Sequence, residues 1–213
     1  MKDIKNNFEN SILATKSIIS VYDYLTNNHF DAIDCSDLLR WTWVQSLSAL
    51  DRLIHDIALL YMTDLFTTNK PLFGKFKNFE FTAQQCQNLL NLDISDRENE
   101  IRKIIANKNS YETFQDPDKI CEILSCIWDE KQKFNKISSK MNLQTEYVKT
   151  KLKNIVARRN QIVHQNDMPA YNFEKAALTK EQAVGVIDFI QKLGNAILKC
   201  IEENITPISS TAS

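Results

Sequence analysis

The chain is predicted to be all-α, on three observations. It has only 3 Gly and 4 Pro in 213 residues, where average usage would give about 25 such residues. Hydrophobic residues recur at helical spacing along most of its length, and no segment sustains the period-2 alternation of a half-buried strand. Sandwiches, barrels and dinucleotide folds depend on Gly at tight turns and at positive φ, so this composition disfavours them. At 43% hydrophobic and 25% charged residues, the chain has enough apolar mass for a core and is not disordered in composition.

The first helix is expected from about Ile4 to Leu25, with Phe8, Ile12, Ala14, Ile18, Ile19 and Tyr22 on one stripe. The Asn27-Asn28-His29 stretch ends it. A longer helix begins after Cys35, with Ser36 as N-cap and Asp37 in the first turn. Leu39, Trp43, Leu47, Leu50, Ile54, Ile57 and Tyr61 carry its stripe to about Phe66. The connector that follows holds Phe73, Phe76, Phe79 and Phe81, with Lys75 and Lys77 between them. Such interleaving can stack single-stranded bases, or it can tuck aromatics onto a core.

Further helices are announced by their caps. Thr82 with Gln85, and Ser95 with Glu98, read as capping boxes. Asp116 before Pro117 opens a helix expected to reach about Phe134. The next runs from about Thr145 to His164, with Leu152, Ile155, Val156, Ile162 and Val163 as its apolar residues. It stops near Asn166, ahead of Pro169. Thr179 with Gln182 opens the last helix, where Val186, Ile187, Ile190, Leu193, Ile197 and Ile201 form a stripe. The architecture expected is a single domain over residues 1–205. It is a bundle of four main helices, with a small helical insertion at about 70–135 between the second and third. Residues 206–213 form a polar tail expected to fray.

Five cysteines, an odd number with no C-x-x-C pair, fit buried thiols in a reducing cytoplasm better than a disulfide or metal framework. Met1 to Asn10 lacks the apolar run of a signal peptide. The most apolar window, Trp43 to Met62, is interrupted by Asp51, Arg52, His55 and Asp56, so no membrane span is expected.

Chemistry is sought first at the 3 histidines. His29 falls in an expected loop without partners. His55 lies four residues from Asp51, so the two are helix neighbours: a surface pair, a polar group in an interface, or a second-helix contribution to a site. His164 stands in Arg158-Arg159-Asn160-Gln161-Ile162-Val163-His164. Arg159-Asn160-x-x-x-His164 is an R-x4-H pattern with a polar residue after the arginine, at the end of an amphipathic helix. The alternative is a helix end where His164 meets the helix dipole and the arginines are solvated.

This motif resembles that of the HEPN family (higher eukaryotes and prokaryotes nucleotide-binding domains). The segment Leu38 to Asp56 looks like the long N-terminal helix of its RiboL-PSP branch. The resemblance runs in helix order from Leu38 to Leu198 and is sharpest in these two segments. It implies a HEPN-like bundle and a metal-independent endoribonuclease of the toxin or antiviral-defence class, without cofactor. It also implies a homodimer acting on RNA, with an antitoxin or other defence protein as a possible partner. Carried onto this sequence, Arg159 and His164 would be catalytic and Asn160 would position one of them. Arg158 competes with Arg159, which is preferred because Asn160 follows it. Asp51 and His55 are the candidates for a second-helix contribution. The alternative reading of the same likeness is a non-catalytic module that binds RNA, a nucleotide or a protein.

The residue types suit that chemistry. RNA supplies its own nucleophile, the 2′-OH. Imidazole titrates near neutrality and can serve as acid or base, while guanidinium stays charged and forks onto phosphate. Residues five apart are rotated by about 140° on a regular helix, so Arg159 and His164 do not share a face, whereas Asn160 and His164 do. Two chains about a two-fold axis could pool them. The net charge of −1 is also uneven. Lys131 to Arg159 holds nine basic residues and one acid, Glu146, for a net +8. Lys149, Lys151, Lys153 and Arg158 from this block are the expected RNA-backbone contacts, and a solvated lysine face is the plainer alternative.

Overall fold

A computed structural model describes residues 1–28, 34–68, 70–72, 74–169 and 174–205, the side chains of 94 and 95 aside. His29, Phe73 and the tail fall outside these residues. Among the described residues there is no strand, as the composition predicts.

Helix α1 (Lys2–Asn27) buries Phe8, Ile12, Thr15 and Ile19; Ala14 is exposed, and Thr15 sits on the stripe instead. Helix α2 (Ser36–Thr67) is the axis of the molecule, packing against α1 and four later helices. Ser36 is its first helical residue rather than its cap: Cys35 holds the N-cap position, and the Ser36 N–H donates to Asp34 Oδ1 at 2.9 Å. The Ser36 hydroxyl is engaged by Arg40 Nη1 at 2.6 Å, which leaves it no capping role.

The connector forms a short 3₁₀ turn, Gly74–Asn78. Its phenylalanines turn inward. Phe76 is buried, and Phe79 packs edge-on against both Phe76 and Phe81, with ring centroids 5.5 and 5.4 Å apart. Lys75 pairs with Glu122. Among the described residues, Phe76, Phe79 and Phe81 therefore pack onto the core and one another. Helix α3 (Ala83–Asn91) has the expected Thr82–Gln85 capping box. Helix α4 (Ile94–Asn109) begins before Ser95, so Asp93 and not Ser95 occupies its N-cap position.

Helix α5 (Pro117–Leu124) opens on the Asp116–Pro117 cap but ends ten residues short of Phe134. The reason is a close backbone approach. A Cβ on Gly74, whose φ is +53°, would lie 1.9 Å from the Ser125 carbonyl oxygen, so the connector abuts the end of α5. The chain then turns, burying Cys126, Ile127 and Trp128, before a separate helix, α6 (Lys133–Lys140). Helix α7 (Thr145–Gln165) and helix α8 (Lys180–Asn204), the latter with its Thr179–Gln182 capping box, complete the bundle. One core cluster joins Ile101, Ile105, Phe114 and Ile120 of the insertion to Leu50, Ile54 and Ile57 of α2 and Ile190 and Ile197 of α8. None of the helices, among the described residues, is long and apolar enough to cross a membrane.

Candidate nucleic-acid site at the end of helix α7

Helix α7 runs without interruption to Gln165. Val148, Leu152 and Ile155 form its buried face. Arg159 follows Ile155 by four residues, so it continues that face toward the bundle; it is half-buried, and its Nε is shielded from water without a hydrogen-bond partner. Its Nη1 donates to Asn160 Oδ1 at 3.2 Å. Lys153, Ala157, Asn160 and His164 descend the opposite, exposed face. The regular helix therefore keeps Arg159 and His164 about 140° apart. Val163, between them and one of the apolar residues of the helix, is 45% exposed. The geometry leaves an open cation, an open imidazole and an apolar surface residue at one helix end.

What holds this end in place was not visible in the motif. Asn166 and Asp167 both take left-handed backbone, with φ of 50° and 59°, a conformation that Asn and Asp tolerate best after Gly. The Asp167 N–H donates to the Gln161 carbonyl six residues back at 3.0 Å, a Schellman-type helix end. That turn points the Asp167 carboxylate inward, where the residue is 2% exposed. Arg40 Nε of α2 donates to its Oδ2 at 2.7 Å, and Arg158 Nη2 donates to the same oxygen at 2.9 Å. Arg158 Nε lies 2.9 Å from Oδ1 as an ion pair, off the axis of a hydrogen bond. Arg40 Nη2 and Arg158 Nη2 also donate to the Ala176 carbonyl, at 2.8 and 3.2 Å. Two guanidiniums and one carboxylate thus tie the start of α2, the end of α7 and the segment leading into α8.

Arg158 is therefore tied to the framework, although its side chain stays 24% exposed. Trp43 adds a second tie: its Nε1 donates to the Ile155 carbonyl at 2.9 Å, the carbonyl that the helix pairs with the Arg159 N–H.

The second-helix candidates lie elsewhere. Arg40 faces Arg158 and Trp43 faces Ile155, so α2 and α7 run antiparallel. Asp51 and His55 are then about 16 and 22 Å further along α2, at 1.5 Å per residue. Asp51 Oδ1 accepts the Phe114 N–H at 2.5 Å, and the His55 ring packs on Phe114 with centroids 4.6 Å apart. They fasten the insertion and do not meet the motif of their own chain. The second-helix residue at the motif is Arg40, whose signal was a cation beside the apolar stripe of Leu39, Trp43 and Leu47.

The basic block is also less free than its linear count. Lys136 pairs with Glu130 at 2.8 Å, Lys140 with Glu203 at 2.6 Å and Lys153 with Asp118 at 3.1 Å. Lys149 and Lys151 lie over aromatic rings instead, Lys149 at 5.9 Å from the Phe134 centroid and Lys151 at 5.0 Å from that of Phe189.

No curated protein and no solved structure matches the chain. The model of the RiboL-PSP-HEPN family matches residues 9–203, which spans every helix from most of α1 to the last turn of α8 and includes the Arg159–His164 motif: the chain belongs to the RiboL-PSP-HEPN family.

Proposed function

We propose that the chain is a metal-independent endoribonuclease whose site is completed by a second copy of itself. HEPN membership supports an RNase or an RNA-binding module as the class. The observation that carries the finer reading is the 140° separation of Arg159 and His164 on a helix that stays regular to Gln165. One chain offers the pieces of a phosphate-cleaving site without assembling them; a two-fold pairing of α7 ends brings the Arg159 of each chain toward the His164 of the other. The exposed Val163 gives that pairing an apolar contact beside the motif.

In the assembled site, the Arg159 guanidinium binds the non-bridging phosphate oxygens and stabilises the charge that develops there. His164 takes the 2′-OH proton or delivers one to the 5′-oxygen that leaves. Attack of the 2′-oxygen on phosphorus breaks the bond to the 5′-oxygen and yields a 2′,3′-cyclic phosphate and a 5′-hydroxyl, with no water consumed. Asn160 shares the exposed face of His164, and its amide oxygen already accepts from Arg159, so it couples the two groups. Lys149 and Lys151 supply backbone contacts. We place the activity in the toxin or antiviral-defence class, held in check by a partner protein encoded nearby.

The test is incubation of the purified protein with total RNA in excess chelator. The expected result is cleavage with 2′,3′-cyclic phosphate ends, abolished by His164→Ala and by Arg159→Ala with folding intact. Full activity in either variant sinks the assignment. RNA binding without cleavage at high protein concentration favours the non-catalytic module.

A further inference from the structure

The three glycines are not equivalent. Gly74 has a positive φ and touches Ser125. At Gly194, a Cβ would come within 2.3 Å of the Phe8 ring, so its absence lets α1 close on α8. Gly185 has neither reason: it is exposed on α8, and a Cβ there would meet nothing within 4 Å. Glycine weakens a helix interior, and it is retained where something must approach the backbone closely. Nothing among the described residues does so.

Gly185 walls a groove of about 370 Å³ between α7 and α8, with Trp43, Ile155, Leu178 and Val186 as its apolar surface. The Trp43 N–H is already used on the Ile155 carbonyl, so the indole offers the groove only its carbon atoms. Lys151 and Arg158 are the charged residues of the lining, and no carboxylate joins them. Three other cavities among the described residues each include Asp or Glu. At the Arg158 end, Arg40, Arg158 and Lys175 are set against Asp37 and Asp167, with Asp34 also within electrostatic reach of Arg40 and Lys175. An apolar slot with cations and no acid fits a ligand that is flat on one part and anionic on another.

We infer that this groove is a nucleotide subsite for single-stranded RNA, which takes one base between Trp43 and the bare Gly185 backbone, with its phosphate at Lys151 and Arg158. The inference rests on the RNA reading above and extends it. Arg158 precedes Arg159 in sequence, so the subsite flanks the scissile position on another face of the same helix. Asn154, also in the lining, has an amide able to meet a base edge. Stacking with backbone charge is the general mode for unpaired strands.

The test uses full-length protein and a fluorescein-labelled single-stranded RNA carrying 2′-O-methyl groups throughout, which removes the nucleophile and makes the probe uncleavable. Gly185→Leu fills the groove from an exposed helical position. The expected result is an affinity loss of about tenfold by anisotropy, the size of one lost stacked base. Thermal midpoint and assembly mass should stay unchanged or, for the midpoint, rise. In the parent protein, 4-thiouridine in the same probe should crosslink to peptides containing residues 151–158 or 177–186. Affinity within twofold of the parent overturns the subsite. A changed assembly mass overturns it in favour of a protein contact. Groove-dependent binding in a protein that leaves ordinary RNA intact keeps the subsite and rejects the nuclease reading instead.

Discussion

Arg40 Nε donates to Asp167 Oδ2 at 2.7 Å across 127 positions of sequence, joining the first turns of α2 to the residue at which α7 has just ended. Both side chains are buried, at 7% and 1% exposure. Removing the carboxylate leaves Arg158 without its buried counter-charge and Arg40 with only the exposed Asp37, 3.3 Å from its Nη1. Breaking one side of a buried pair costs about 3–5 kcal/mol. Asp167→Ala is expected to lose stability on that scale by urea denaturation. Combining it with Arg40→Ala should cost less than the two single losses together, because the second truncation removes a charge that has already lost its buried partner. Strict additivity in this double-mutant cycle would show that the contact carries no coupling.

The composite site has a sharper test than loss of activity. Arg159→Ala and His164→Ala are each expected to be inactive alone. Unfolded together and refolded, they form mixed dimers in which one chain retains Arg159 and the other His164. If the site takes its arginine from one chain and its histidine from the other, part of the cleavage activity returns. A site closed within one chain predicts no recovery, since neither chain then holds both groups.

Much of the fold was legible in the sequence because helix punctuation is local. The Thr82–Gln85 and Thr179–Gln182 boxes and the Asp116–Pro117 start appear where their spacing places them. The early end of α5 was not legible, because its cause is the Gly74 backbone fifty residues away. The motif at the end of α7 was visible as a pattern, but its support was not. Arg40 and Asp167 are unremarkable in sequence, and only the left-handed turn at Asn166 and Asp167 swings the carboxylate onto α2. The +8 count overstates the free charge of the block: Glu130 and Asp167, just beyond its ends, pair Lys136 and Arg158, and the more distant Glu203 and Asp118 pair Lys140 and Lys153.

Thiol reactivity follows burial. Cys86 is exposed, whereas Cys35, Cys126 and Cys200 are buried. Burial pushes the Cys126 thiol up to about 11 and raises that of Cys200 as well. At pH 8 an alkylating reagent should label Cys86 within minutes and Cys126 and Cys200 only after unfolding, as read by peptide mass spectrometry. The same shift sets a direction for stability. A folded value above the unfolded 9.0 means that the native state resists ionisation, so its contribution is whole below pH 9 and is lost as pH rises toward 11. Burial raises Tyr61 in the same sense. The urea midpoint should therefore fall between pH 9 and 11; a flat alkaline limb would contradict the burial of these groups.

Replacing each glycine by alanine should give changes of different sign. Gly74→Ala forces a Cβ to 1.9 Å from the Ser125 carbonyl oxygen at a positive φ, so backbone must move. It should destabilise by roughly 1–3 kcal/mol, the range for a strained backbone position. Gly194→Ala meets the Phe8 ring at 2.3 Å in a packed helix contact and should also destabilise, by about 1–3 kcal/mol for overpacking. Gly185→Ala meets nothing, sits mid-helix and is exposed. It should stabilise by about 0.8–1 kcal/mol, the helix-propensity difference alone. Thermal unfolding of the three variants without RNA reads the contrast directly. A destabilised Gly185→Ala would mean that a second chain already presses on that face in the free protein, and would remove the vacancy into which a nucleotide is proposed to fit.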